Sequence, residues 1–144
     1  MRKSGETPAS GQRFRRDQSG ATAVEFAFLA PVLIFILMGI TGYGGYFWMS
    51  HSIQQLANDG ARAAIPGTTA GERASLAKAA VAASAGDVQL IPAKVSTEVI
   101  DRDGRLTVAV SYDAADSFAF AVRGLTPMPS DQIRRQASVQ LGGY

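Results

Sequence analysis

Gly20-Ala21-Thr22-Ala23-Val24-Glu25-Phe26 sets one carboxylate just inside the entrance to an apolar run, and the reading of the chain turns on why it is there. Ahead of it lie Arg13, Arg15 and Arg16; behind it, residues 26–49 carry no charged side chain. A charge at mid-membrane costs roughly 2.5–3.5 kcal/mol for Asp, Lys or Arg, and less near the end of a span. An acid kept inside a membrane-length segment is therefore a functional candidate by default. The bland alternative for Glu25 is a glutamate near the cytoplasmic interface that reaches into the headgroups.

The run is longer than the about 20 helical residues that cross a bilayer. Five basic residues precede it (Arg2, Lys3, Arg13, Arg15, Arg16) against two acids, Glu6 and Asp17. The positive-inside rule then puts the N-terminal end in the cytoplasm and everything beyond about residue 50 outside it. On this reading Arg13, Arg15 and Arg16 are topology determinants rather than a binding patch. Tyr43, Tyr46, Phe47 and Trp48 crowd the far end, where amphipathic rings favour the water interface. A cleaved secretory signal needs a shorter apolar core and then a small-x-small site. Gly42-Tyr43-Gly44 is the best such site, but more apolar residues follow it. A plain uncleaved signal anchor accounts for the span and leaves the Gly20/Glu25 placement without a reason. Pro31 costs about 3 kcal/mol inside an aqueous helix, yet neighbours re-satisfy the freed carbonyl in a membrane. Gly39, Gly42, Gly44 and Gly45 open a small-residue surface for close helix contact, without a strict Gly-x-x-x-Gly pair.

A glycine, four residues, then Glu and an aromatic residue is also the pattern of class III (prepilin-type) leaders at their cleavage site. The stretch Arg13-Phe14-Arg15-Arg16-Asp17-Gln18-Ser19-Gly20-Ala21-Thr22-Ala23-Val24-Glu25-Phe26-Ala27 resembles the TadE-like family, the pseudopilins of the tight-adherence (Flp) pilus system. Ile53-Gln54-Gln55-Leu56-Ala57-Asn58-Asp59-Gly60-Ala61-Arg62-Ala63-Ala64 is similar to the corresponding TadE-like stretch, so the resemblance covers about residues 13–64. It implies a bacterial protein of the cytoplasmic (inner) membrane, N-terminus cytoplasmic and C-terminal domain periplasmic. It also implies a leader, residues 1–20, that a prepilin peptidase cuts between Gly20 and Ala21. Glu25 and Phe26 would serve assembly and processing, the carboxylate pairing with the freed Ala21 amine of a neighbouring subunit. Implied partners are the membrane, the peptidase, and other pilins, pseudopilins and tight-adherence machinery. The chain departs from the pattern at one point. Family members often carry a second acid after the apolar core, before an aromatic residue and a glycine; here Gly42 precedes Tyr43-Gly44, and any function resting on that acid is missing.

The helical stripe continues past the membrane length through Ile53, Leu56, Ala57, Gly60, Ala61 and Ala64, until Ile65-Pro66-Gly67 stops it. A helix over residues 21–64, spanning the membrane to about residue 49, is about 66 Å long. Residues 65–144 then make a small extracytoplasmic domain. Thr69-Ala70-Gly71-Glu72 has capping-box form and opens an alanine-rich helix to about Ala85, with Gly86 closing it. Beyond it the period becomes two: Val95, Thr97 and Val99 in one run; Leu106, Val108, Val110 and Tyr112 in the next; Ala137, Val139 and Leu141 in the last. Asp101-Arg102-Asp103-Gly104 is a hairpin signal between the first two. Three antiparallel strands need a helix over their apolar face, and the extramembrane half of the first helix is the natural cover. Residues 117–123 suit a short helix before Gly124, with Pro127 and Pro129 in a loop. The predicted class is α+β and pilin-like: a long N-terminal helix on a small antiparallel sheet, plus one short extra helix.

Composition narrows the function. The net charge of +2 and pI of 9.2 invite a nucleic-acid reading. After Met49, however, nine basic residues meet nine acids, so the excess sits in the leader and not on the domain. Removing residues 1–20 leaves nine basic residues against ten acids. No cysteine occurs, which excludes disulfides, thiolate metal sites and cysteine nucleophiles. His51 is the single histidine, a lone interfacial residue from which neither a triad nor a multi-histidine metal site can be built. Asp101 and Asp103 lack a later glutamate at calcium-loop spacing and read as turn chemistry. No catalytic residue, metal, cofactor, nucleic acid or small-molecule substrate is expected. Two readings remain: an assembly protein of the pilus, and an uncleaved, signal-anchored periplasmic domain that binds or scaffolds.

Overall fold

The computed structural model describes residues 18–125 and 127–142. One helix, α1 (Gln18–Ala63), runs through Pro31 and enters both of the units into which the chain divides after Phe35. In the first unit, residues 22–35 are exposed apart from half-buried Ala30. Val24, Phe26, Phe28, Leu29, Val32, Leu33, Ile34 and Phe35 are among the exposed side chains, an apolar surface that water does not tolerate on a free helix. Residues 22–63 qualify by length and composition as one membrane-crossing candidate.

The second unit is an α+β fold. After α1 come α2 (Ala70–Ala85), β1 (Val95–Arg102), β2 (Arg105–Asp113) and β3 (Gln132–Gln140). The strands form one antiparallel sheet in the order β1-β2-β3. Register fixes its two faces. Val99↔Val108↔Ala137 and Asp101↔Leu106↔Val139 line the inner face, while Glu98↔Ala109↔Gln136 and Thr107↔Ser138 line the outer one. The outer face is held by polar pairs, Glu98 to Arg134 at 2.7 Å and Thr107 Oγ1 to Ser138 Oγ at 2.8 Å. The hairpin between β1 and β2 has a two-residue turn, Asp103 (φ 52°) and Gly104 (φ 69°). Both left-handed residues belong to the type I′ geometry whose twist matches the strands.

Both helices cover the inner face, where the sequence pointed to α1 alone. Met49, Ile53, Leu56, Ala57, Ala61 and Ala64 of α1, Ala77, Val81 and Ala85 of α2, and Leu106, Val108, Val110 and Tyr112 of β2 share one core. Helix α2 is tied to β1 by Arg73 Nε on Asp101 Oδ2 at 2.7 Å, both side chains more than four-fifths buried. Asp101 thus anchors a helix instead of serving the turn. The helix crossing depends on Gly60: a Cβ there would lie 2.9 Å from Val81 Cγ2 and 3.2 Å from Val108 Cγ1. Gly60→Leu is therefore expected to cost about 1–3 kcal/mol or more through overpacking. A lower urea midpoint with an unchanged slope would check this. Gly71→Ala, with open space around its Cβ, should gain about 0.5 kcal/mol through reduced backbone freedom of the unfolded chain.

Two local expectations are adjusted. Thr69 does cap α2, its Oγ1 accepting from Glu72 N at 3.2 Å, but the Glu72 carboxylate turns back to Thr68 N and Thr68 Oγ1, both at 2.8 Å. Those hydrogen bonds hold the Glu72 carboxyl below the usual glutamate range. At the other end Gly86 is the C-cap but remains right-handed (φ −69°). Further turns follow, and the left-handed residue is Gln89 (φ 56°), after which Leu90 N donates to Ala85 O at 3.1 Å.

Candidate functional site

The Gly20–Ala21 peptide bond lies near the N-terminal end of the described part of α1. Gly20 is exposed, with nothing within 4 Å of a Cβ built on it. A glycine inside a helix lowers its stability by about 1 kcal/mol relative to alanine. Arg13, Arg15 and Arg16, with the rest of residues 1–17, lie outside the described residues.

Glu25 is exposed on α1 and Phe26 beside it is 66% exposed. Ala21 and Glu25 are four residues apart in one helix, hence on the same face and one turn from each other. A chain beginning at Ala21 would place its α-amino group at the helix N-terminus and a carboxylate one turn on, where the helix dipole favours negative charge. The carboxylate could then accept from the amine of such a chain or of another copy. Within the apolar run it is tolerated mainly when paired.

A second cluster escaped the reading of the sequence. Residues 42–46 of α1 pack on a 3-10 helix, Phe118–Val122, and the loop after it. A Cβ on Gly42 would lie 2.7 Å from Val122 Cγ2, and one on Gly45 2.8 Å from Ala119 Cβ. Tyr43 donates its hydroxyl to the carbonyl of Pro127, and the Tyr46 and Phe120 rings meet edge to face at 6.3 Å. Gly42 and Gly45 thus receive a segment of their own chain, whereas Gly39 and Gly44 have nothing within 4 Å. The signal was in the sequence as glycines three apart in an otherwise bulky run. Its pairing with residues 118–122 was not, because a five-residue 3-10 helix is too short to show which face it buries. Arg123 closes the segment: its guanidinium lies 5.1 Å from the Phe120 ring centre and 2.7 Å from Asp131 Oδ2. That hydrogen bond holds the Asp131 carboxyl below its ordinary range.

His51 is exposed beside a cleft lined by Phe47, Trp48, Ser50, Gln54 and Arg135. Among the described residues no group of three His, Asp or Glu side chains could hold a metal ion. Gln54 Nε2 donates to the Gln136 carbonyl at 3.1 Å, fixing α1 beside β3.

Residues 20–62 match the family model described as TadE-like protein, so the resemblance carried by Gly20, Glu25 and the stripe to Arg62 holds over that segment. No curated protein and no solved structure matches the chain.

Proposed function

We propose that this protein is a TadE-like pseudopilin: a non-catalytic component that helps build a bacterial tight-adherence pilus after a prepilin peptidase trims it at Gly20–Ala21. The observation that carries this reading is the TadE-like match beginning at Gly20, on a helix that sets Glu25 one turn beyond the cleavage position. In the inner membrane the leader faces the cytoplasm, by its arginines, and the α+β domain faces the periplasm. Neighbouring pilins, pseudopilins and the assembly machinery meet it there. Phe26 stands next to the carboxylate as an exposed apolar contact for a neighbouring helix.

Intact mass of the protein from native membranes tests the reading. The mature chain is expected to begin at Ala21, and Gly20→Leu to accumulate as full-length precursor, because a bulky side chain replaces the small residue at the scissile bond. Retention of residues 1–20 by the wild-type protein in a strain bearing active pili would instead favour the uncleaved signal anchor.

A further inference from the structure

The Phe118–Val122 helix and Leu125 present two faces of opposite use. Ala119, Phe120 and Val122 are buried, at 4%, 4% and 7% exposure. Phe118 and Leu125 stand in the open at 75% and 56%. The sole charge in this stretch, Arg123, is compensated by Asp131 and lies against Phe120. The buried face locks onto Gly42 and Gly45, which belong to the uncharged run of α1.

Counting along α1 fixes the depth of that lock. A hydrocarbon core takes about 20 helical residues, so a span that starts at Thr22 ends at about Thr41, and one that starts at Phe26 ends at about Gly45. Glycines 42 and 45 then fall within about 6 Å of the hydrocarbon boundary in either register, at about 1.5 Å rise per residue. The headgroup layer on each side is itself about 5–8 Å thick. Whatever is clamped on these glycines sits at the membrane surface. Phe47 and Trp48, exposed at 64% and 46%, occupy the same level of the helix, and aromatic side chains favour that level.

We propose that residues 118–125 form a membrane foot, with Phe118 and Leu125 inserted into the outer face of the bilayer that α1 crosses. The globular domain is thereby held against the lipid at a second point rather than swinging from a single helix. The inference rests on α1 spanning the membrane and is independent of pilus assembly.

The native chain has no cysteine, so single cysteines can carry an environment-sensitive label in the full-length protein. The variants are Phe118→Cys, Leu125→Cys, Leu33→Cys within the span, and Ser75→Cys and Ser96→Cys on exposed parts of α2 and β1. All five replace exposed side chains and should leave the fold intact. In vesicles of phosphatidylethanolamine and phosphatidylglycerol, nitroxide-bearing lipids are expected to quench the labels at 33, 118 and 125 several-fold more than those at 75 and 96. Blue-shifted emission should accompany the quenching. Labels at 118 and 125 that behave like those at 75 and 96 while 33 is quenched would overturn the foot and leave the span standing. A blue shift at 118 and 125 without lipid quenching would overturn it in favour of a protein partner. A water-exposed label at 33 would overturn both the foot and the span.

Discussion

A fragment that starts at Thr68 is expected to show no cooperative unfolding transition, whereas one that starts at Ser50 should melt as a folded unit. The Thr68 fragment retains the sheet and α2 but loses Ile53, Leu56, Ala57, Ala61 and Ala64, all 1% exposed or less. Truncating a single buried Leu or Ile to Ala costs about 2–5 kcal/mol. Ile53 and Leu56 together therefore approach the total of about 5–15 kcal/mol that stabilises a small domain. Helix α2 cannot take over: it packs on β1 through Arg73 and Asp101, and its own core residues, Ala77, Val81 and Ala85, are small. A further gradation follows from the second cluster. A fragment starting near Gly39 should be more stable than the Ser50 fragment, because Ala119, Phe120 and Val122 keep the helix they pack on. Circular dichroism melts of the three fragments decide the matter. Equal cooperative melting of the Thr68 and Ser50 fragments would show that α2 alone suffices as the cover.

The sheet and its α1 cover were legible in the sequence, and the added cover from α2 was not, for physical causes. Strand alternation is a period-two signal, and Leu106, Val108, Val110 and Tyr112 lie on the predicted face because one face is buried. The hairpin was legible because Asp103-Gly104 suits a turn that needs two positive φ angles. The share of α2 in the core was not legible: its buried residues are mostly alanines, which read the same in a solvated helix as against a sheet. Asp101 looked like turn chemistry since its partner, Arg73, is 28 residues away in sequence. Around Glu25 the legible part was the spacing, Gly20 to Glu25 at the head of an apolar run. What that carboxylate meets in an assembly lies outside a single chain.

Glu25→Ala is expected to leave membrane insertion and leader removal intact while abolishing assembly. Insertion should if anything improve, since the substitution removes an acid from an apolar segment. On the proposed processing, cleavage would depend on Gly20 and the basic residues before it, neither of which changes. The loss falls on the step in which a freed Ala21 amine enters a low-dielectric bundle of neighbouring helices. There an unpaired charge costs several kcal/mol, enough at about 1.4 kcal/mol per tenfold to suppress incorporation by orders of magnitude. Glu25→Gln separates charge from shape: it preserves the side-chain length and hydrogen-bonding oxygen but cannot neutralise an ammonium group. If the ion pair is what counts, Gln should fail nearly as badly as Ala; if a hydrogen bond suffices, it should assemble. Counting surface pili by microscopy, with intact mass confirming that each variant is cut after Gly20, separates an assembly defect from a processing one. Wild-type pilus numbers in the Ala variant would leave Glu25 as a carboxylate that merely reaches the headgroups.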